Sequence, residues 1–233
     1  MKRMLRGLGV FVLFLVAVTL GLFFYLHKGL PEGEPGSAAD ELAKKMLTSL
    51  HVEAYDNTRF LEWSFRNGKH RYRWDRVEHS ANVAWDSYNV NLHLNNLGES
   101  TVTEKGQMVS GESRMELIKK AQKLFNNDSF WLVAPFKVFD SGTQRALVPL
   151  KNGKKGLLVT YTSGGDTPGD SYLWILNDQG FPVSYQMWVS ILPIGGLEAT
   201  WDNWKQTETG AYLPGTHSLG PLSLPMGTVK GYN

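Results

Sequence analysis

Hydrophobic and polar positions divide the chain into one long apolar run, two helical stretches and a series of alternating stretches. The apolar run extends from Leu8 to Leu26 without a charged residue. A helix of that length, at 1.5 Å per residue, covers roughly the 30 Å hydrocarbon core of a bilayer. Because Lys2, Arg3 and Arg6 precede the run, we expect residues 1–7 to be cytoplasmic and residues 8–26 to be a transmembrane signal-anchor.

The sequence after the apolar run favours a retained anchor over a cleaved signal peptide. A signal peptide has a shorter apolar region, roughly 7–15 residues, followed closely by a small-residue cleavage site. The nearest such residues, Ser37 to Ala39, lie well downstream. We therefore expect a protein of the bacterial inner membrane that crosses it once. Residues 27–37 would form a stalk linker, and residues 38–233 a periplasmic or extracellular domain.

Two later stretches have helical spacing. In the first, Leu42, Met46 and Leu50 form an apolar stripe after Ser37. In the second, Ser113-x-x-Glu116 is a capping box at the start of apolar positions that recur up to Phe125. Asn tolerates the left-handed conformation that ends helices, so the pair at 126–127 predicts the end of this helix.

A β-hairpin is predicted at "FLEWSFRNGKHRYRWD", because Asn67-Gly68 is a strong two-residue turn signal. Folding the chain there pairs Phe65 with His70, Trp63 with Tyr72, and Leu61 with Trp74, all on one side. The other side carries charged residues, among them Glu62, Arg66, Lys69, Arg71 and Arg73. A slip of one residue would destroy this separation, so the aromatic side is expected to be buried.

The second half of the chain alternates between strands and turns, as in "GLLVTYT", "SYLWIL" and "PVSYQMWVSIL". Parallel strands need helical crossovers, and the sequence shows none between these strands, so the sheet is predicted to be antiparallel. The stretch 128–140, with the letters "DSFWLVAPFKVFD", is densely apolar and interrupted by Pro135. It predicts either a core crossover or a plug over the concave side of a curved sheet.

The order of these elements, with the "DSFWLVAPF" crossover after a mid-chain helix, resembles the lipoprotein-carrier (LolA-like) superfamily. The resemblance spans roughly residues 38–229 and implies an incomplete, strongly curved β-barrel with an apolar cavity for acyl chains. The predicted fold is therefore α+β: the transmembrane helix, then a curved antiparallel sheet of about nine to eleven strands with two helices on its concave side. Two features differ from the family, namely the tether and the lack of a match for the family's functional arginine.

Composition and charge exclude several classes of function. The chain has no cysteine, which excludes disulfides and thiolate metal sites. The part after Lys28 carries 20 basic and 22 acidic residues, which is no electrostatic footprint for nucleic acid. The loop between "GLLVTYT" and "SYLWIL" is predicted to be a turn, with a calcium site at Asp166 and Asp170 as the alternative.

The leading hypothesis for function is a membrane-anchored binding module for a lipid, a lipoprotein or another apolar ligand. No catalytic residue, metal site or cofactor is predicted, and the protein partner is not identified. The alternatives are a scaffold subunit that docks through Ile191 to Ile194, and an extracytoplasmic hydrolase with a carboxylate acid and base. The predicted ligand-binding residues are Trp63, Phe65, Tyr72, Trp74, Phe130, Trp131, Trp174 and Trp188.

Overall fold

The computed structural model describes residues 11, 14–15, 17–18, 21, 23–164 and 167–233. Much of the predicted transmembrane segment 8–26 lies outside these residues, so that segment stays a prediction. Among the residues described, no helix is both long and apolar enough to cross a bilayer.

Three α-helices lie between residues 27 and 233: α1 (Ser37–Ser49), α2 (Val52–Asp56) and α3 (Glu112–Val133). The helix predicted after Ser37 is confirmed as α1. Its buried face contains Ala39, Ala43 and Met46, and the spacing of three to four residues places these side chains on one side of the helix.

The second predicted helix is confirmed as α3, but its capping box and its end were predicted wrongly. The helix begins at Glu112 after Gly111, and no side chain caps its N-terminus; Ser113 Oγ donates to the Ser110 carbonyl instead. Asn126 and Asn127 do not end the helix. Its buried face continues through Asp128 and Leu132 to Val133, because burial of that face outweighs the low helix propensity of asparagine. A 3₁₀ turn, Ala134–Lys137, follows and contains Pro135.

Seventeen strands lie in the described residues, and every strand pairing is antiparallel. They are β1 (Glu34–Pro35), β2 (Phe60–Phe65), β3 (His70–Asp75), β4 (Ser80–Trp85), β5 (Tyr88–His93), β6 (Thr101–Glu104), β7 (Gln107–Met108), β8 (Thr143–Pro149), β9 (Lys155–Tyr161), β10 (Ser171–Leu176), β11 (Pro182–Trp188), β12 (Leu197–Thr200), β13 (Lys205–Gln206), β14 (Tyr212–Leu213), β15 (Thr216–Leu219), β16 (Leu222–Pro225) and β17 (Lys230–Tyr232).

The α+β class and the antiparallel pairing are confirmed, but the strand number and the single sheet are not. The strands form an eight-stranded sheet in the order β1-β8-β9-β10-β11-β12-β15-β16 and a seven-stranded sheet in the order β17-β2-β3-β4-β5-β6-β7. The remaining two strands, β13 and β14, pair with each other. The sheets do not close into a barrel. The predicted number of nine to eleven strands is too low because several strands have only two to four residues, too few to show an alternating pattern.

The predicted hairpin register is confirmed. Phe65 pairs with His70, and Trp63 pairs with Tyr72. Trp63 and Tyr72 are 3% and 4% exposed, whereas Arg71 on the other side is exposed. The aromatic side of this hairpin therefore faces the protein interior.

The C-terminal segment joins the two sheets. The Met226 amide donates to the Gly215 carbonyl beside β15, and the Met226 carbonyl accepts from the Ser64 amide in β2. The inner face of the eight-stranded sheet packs on α1, and that of the seven-stranded sheet packs on α3. Trp131 and Phe136 contact both hydrophobic cores, so α3 and the turn after it lie between the sheets.

Candidate functional site

Seven of the eight predicted ligand-binding residues belong to the hydrophobic interior. In the core between the seven-stranded sheet and α3, Trp63, Phe65 and Tyr72 are buried. Trp174 is completely buried in the core between the eight-stranded sheet and α1. Trp74, Phe130 and Trp131 are partly buried and pack against these cores. Trp188 is the exception, because it lies on the outer face of the eight-stranded sheet.

Trp131 fills the space between the sheets. Its ring centroid lies 6.4 Å from that of Phe65 in the seven-stranded sheet. On the other side it lies 5.8 Å from that of Tyr185 and 5.2 Å from that of His217, both in the eight-stranded sheet. The stretch predicted as a crossover or plug thus continues α3 and packs against aromatic residues of both sheets.

A buried carboxylate fixes the position of α3 on β3. Asp128 is 1% exposed, and its Oδ2 accepts from the Tyr72 hydroxyl at 2.5 Å and from His70 Nδ1 at 2.7 Å. Its Oδ1 accepts from Asn127 Nδ2 at 2.7 Å. Burial, reinforced by the Asp128 charge, raises the pKa of Tyr72 far above its usual range, so the hydroxyl keeps its proton and donates. Both carboxylate oxygens are engaged, and we interpret this cluster as structural.

Several polar atoms in the interior have no hydrogen-bond partner among the described residues. They are the indole nitrogens of Trp63, Trp74, Trp85, Trp174 and Trp201, the Tyr161 hydroxyl and Nε2 of His217. Each such atom is costly to bury. A polar ligand atom that reached this interior would find donors there, but α1 and α3 occupy the inner faces of the sheets.

An open groove of about 690 Å³ lies on the opposite, outer face of the eight-stranded sheet. Side chains alternate between the two faces of each strand, so Tyr172 and Trp174 of β10 point inward, while Leu173 and Ile175 point into the groove. Val148 of β8 and Trp188 of β11 also line it. Both faces of this sheet are therefore apolar at its centre.

The segment predicted to be a stalk forms one wall of this groove. Residues Lys28, Gly29 and Pro31 line it. The Lys28 amide donates to the Gly195 carbonyl at 2.9 Å, and the Trp188 indole donates to the Lys28 carbonyl at 2.8 Å. Further along, Glu34–Pro35 pairs with β8 as the edge strand β1. Residues 28–35 thus lie along the sheet.

Glycine at position 195 allows the N-terminal segment to approach the sheet this closely. A Cβ at Gly195 would come within 2.5 Å of Trp188 Cδ1 and 2.9 Å of the Lys28 carbonyl oxygen. At Gly196, which also has a positive φ of 76°, a Cβ would come within 2.6 Å of Lys28 Cβ. Any larger residue would force the two segments apart.

The polar groups of the groove are concentrated at its ends and at one side. Lys28 lies at the Trp188 end, while Lys151 lies in the turn between β8 and β9 at the other end. Neither lysine forms an ion pair with another described residue. Glu198, at the β12 side, accepts from Ser184 Oγ at 2.7 Å and Gln186 Nε2 at 3.3 Å, which leaves the two ammonium groups free to meet an anion.

The calcium alternative gains no support from the described residues. Asp170 is buried, and its carboxylate accepts from the Ser190 amide at 2.9 Å and from Thr167 Oγ1 at 2.6 Å. Asp166 lies outside the described residues. Across the described part of the chain, no group of three or more His, Asp or Glu side chains could hold a metal ion. Asp170 thus serves to fix the turn before β10 to the loop after β11.

Sequence reasoning missed the groove residues Val148, Leu150, Leu173 and Ile175. A signal for them exists, because "GLLV" in β9 and "YLWIL" in β10 are apolar at consecutive positions instead of alternating. Such continuous runs are typical of strands covered on both faces. The pattern indicates a second apolar face, although it does not show what covers that face.

Comparison with known proteins shows a distant structural likeness and no sequence match. No protein-family model matches the chain, and no curated protein matches its sequence. The chain is similar to the crystal structure of a DUF1329 family protein from Desulfovibrio piger, with a TM-score of 0.43 and 10% sequence identity. The match covers 85% of this chain and 93% of that protein's chain. A likeness this distant assigns no function to the chain.

Proposed function

We propose that the chain is a membrane-tethered extracytoplasmic module that binds an acyl chain with an anionic head in the outer groove of the eight-stranded sheet. The observation that carries the proposal is the groove itself. Its volume of about 690 Å³ lies within the range of small-molecule sites, roughly 300–1,000 Å³. Its centre is apolar and its two ends carry lysines.

The apolar centre of the groove suits a hydrocarbon chain. Leu173, Ile175 and Val148 supply aliphatic surface, and the Trp188 ring supplies aromatic surface. Each methylene group that leaves water for such a surface contributes about 0.8 kcal/mol.

The two lysines suit an anionic head. Lys28 and Lys151 lie at opposite ends of the groove, so an acyl chain can bind there with its head group at either end. Phosphate and carboxylate groups are both anions that a lysine can bind. A phospholipid, a lipoprotein or a fatty acid could supply such a head group.

The outer groove is favoured over the inner face because it needs no rearrangement. On the inner face, the helix α3 and the side chain of Trp131 contact both sheets. A ligand there would have to displace this packed helix, at a cost of several kcal/mol. The groove is already open to solvent.

We infer that the two sheets together form one incomplete barrel of the lipoprotein-carrier (LolA-like) type. The Met226 backbone bonds that join the sheets, and the position of α3 between them, support this. The proposed cellular location is the outer side of a bacterial inner membrane, which the uncharged run 8–26 supports.

Photo-crosslinking tests the proposed site. The full-length chain in lipid nanodiscs is incubated with a fatty acid that carries a diazirine in its tail, irradiated and digested, and adducts are mapped by mass spectrometry. We expect adducts in peptides that contain Leu150, Ile175 and Trp188, which line the groove. Adducts confined to residues 63–74 and 125–131 would move the site to the inner face.

A matched pair of substitutions serves as the control. Ile175→Glu places a carboxylate on the groove floor, and Val183→Glu places one on an exposed residue of the same sheet that does not line the groove. We expect Ile175→Glu to lower the adduct yield about tenfold, equivalent to ~1.4 kcal/mol, because the carboxylate opposes both the tail and its anionic head. An equal yield in the two variants would contradict the proposal.

A further inference from the structure

We infer that the loop 190–196 rests on the lipid bilayer surface, where Ile191 inserts into the membrane interface. The inference rests on the membrane tether of the proposed function, but it concerns a different surface from the groove. Ile191 is 67% exposed, although isoleucine is among the residues most often buried in proteins.

Hydrogen bonds hold this loop to the point where the chain would leave the membrane. The Gly195 amide donates to His27 Nδ1 at 3.1 Å, and the Gly195 carbonyl accepts from the Lys28 amide at 2.9 Å. His27 follows the last residue of the apolar run, Leu26. Gly195 is therefore bonded to the first two residues after the end of that run.

Chain geometry limits the distance between Ile191 and the bilayer. Ile191 precedes Gly195 by four residues, which span at most about 14 Å. The polar layer of a bilayer leaflet is itself about 5–8 Å thick. An exposed side chain so close to the membrane exit can reach the boundary between head groups and acyl chains.

The loop is held firmly enough to present Ile191 outward. The Ser190 amide donates to the buried carboxylate of Asp170 at 2.9 Å, and Leu192 packs on the core beneath the eight-stranded sheet. The Leu192 amide also donates to the Val189 carbonyl at 3.0 Å. Anchoring on both sides of Ile191 leaves its side chain directed away from the domain.

The neighbouring residues have the chemistry of a membrane interface. Tyr25 is 85% exposed and Phe24 is 74% exposed, and Lys28 lies three residues after Tyr25. Tyr and Trp rings concentrate at the membrane–water interface, and lysine side chains near helix ends extend to it. A protein partner at this loop would have to share the surface with the membrane, so the bilayer is the occupant that we propose.

Contact between this loop and the bilayer would also fix the orientation of the groove relative to the membrane. Lys28 and Trp188 lie at the same end of the groove and beside Gly195. With loop 190–196 on the bilayer, this end of the groove would open at the head-group layer, where an acyl chain could enter without crossing water.

The absence of cysteine from the chain makes a single-site probe simple to introduce. Ile191→Cys and Met108→Cys form a matched pair, because both residues are apolar and both are 67% exposed, while Met108 lies in β7 at the edge of the other sheet. Each full-length variant is labelled with the fluorophore NBD and placed in nanodiscs containing a lipid with a nitroxide on its fifth acyl carbon. That depth matches the roughly 5–10 Å at which interfacial apolar groups lie.

We expect quenching of the probe at position 191 to exceed that at position 108 at least about threefold, because only the first lies at the interface. A blue-shifted emission at position 191 in nanodiscs should accompany it. Equal, weak quenching at both positions would overturn the inference. Groove adducts without quenching at position 191 would overturn the inference alone, and quenching without groove adducts would overturn the proposed ligand site alone.

Discussion

His217 is the residue whose surroundings change its chemistry most clearly. It is completely buried, and its ring lies 4.5 Å from that of Trp201 and 5.2 Å from that of Trp131. Its Nδ1 donates to the Thr200 carbonyl at 2.9 Å. Burial lowers the pKa of His217 to about 4, although the hydrogen bond to Thr200 offsets part of this effect. The imidazole is therefore neutral in the folded protein at neutral pH.

This environment predicts that the protein loses stability in mild acid. Between the usual imidazole pKa of about 6.5 and the folded value of about 4, the unfolded chain binds a proton at His217 that the folded chain does not. The contribution of neutral His217 to the free energy of unfolding is fully present above pH 6.5 and is lost as the pH falls toward 4. The total loss is about 3 kcal/mol. Urea unfolding of the wild type and of His217→Gln at pH 7 and pH 4.5 measures it.

We expect the wild type to lose about 2–3 kcal/mol more than His217→Gln between these two pH values, since glutamine does not titrate. Other groups titrate equally in both proteins and cancel in the comparison. The same pH dependence in both proteins would show that His217 is not the group responsible.

At the scale of elements, the attachment of α3 to β3 depends on a polar cluster inside an apolar core. Asp128 comes from the helix, and His70 and Tyr72 come from the strand. Phe125, one turn earlier on the helix, packs against Trp63 and Tyr72. Apolar packing supplies most of the attraction, and the carboxylate fixes which turn of α3 lies opposite β3.

Removal of this carboxylate should be costly. We expect Asp128→Ala to lower the free energy of unfolding by about 3–5 kcal/mol, because it leaves the Tyr72 hydroxyl and the His70 N–H buried without an acceptor. Asp128→Asn keeps an acceptor and should cost less. The matched control is Asp140→Ala, which breaks an exposed pair with Lys137 and should cost no more than about 1 kcal/mol. Chemical denaturation that gave equal losses at positions 128 and 140 would contradict the structural role of the cluster.

At the scale of the whole molecule, the two sheets are joined by shared residues and should therefore unfold together. Trp131 packs in both cores, and the Met226 backbone bonds to both sheets. Neither sheet can therefore open fully without exposing apolar surface of the other. Elements that share a core in this way usually form one cooperative unit.

A substitution in one sheet should thus weaken the other. Trp63→Ala lies in the seven-stranded sheet and should cost about 3–5 kcal/mol, since the ring is 3% exposed. Native-state hydrogen exchange should show this loss also at amides of β10 in the eight-stranded sheet. Val77→Ala serves as the control, because Val77 is 61% exposed. It should change the free energy of opening at these amides by less than about 0.5 kcal/mol. Unchanged protection of β10 in Trp63→Ala would mean that the sheets unfold independently.

The sequence by itself determined the features that depend on near neighbours along the chain. The Asn67-Gly68 turn and the alternation around it set the register of β2 and β3, because a slip of one residue would expose every aromatic ring in the hairpin. The absence of helical crossovers determined the antiparallel pairing. The end of α3 could not be predicted in this way, because Asp128 and Leu132 keep the helix intact only through contacts with β3 and the core.

Tertiary structure alone decided where a candidate site lies. The groove needs Lys28 beside Gly195, 167 positions later in the sequence, and no local pattern encodes that distance. Seven of the eight aromatic residues predicted to bind ligand lie in the interior, but the sequence could not show that α1 and α3 would cover the inner faces of the sheets. Apolar residues pack equally well against a helix or a ligand, since the hydrophobic effect has no direction. Only the positions of the covering elements reveal that the inner face is covered while the outer groove stays open.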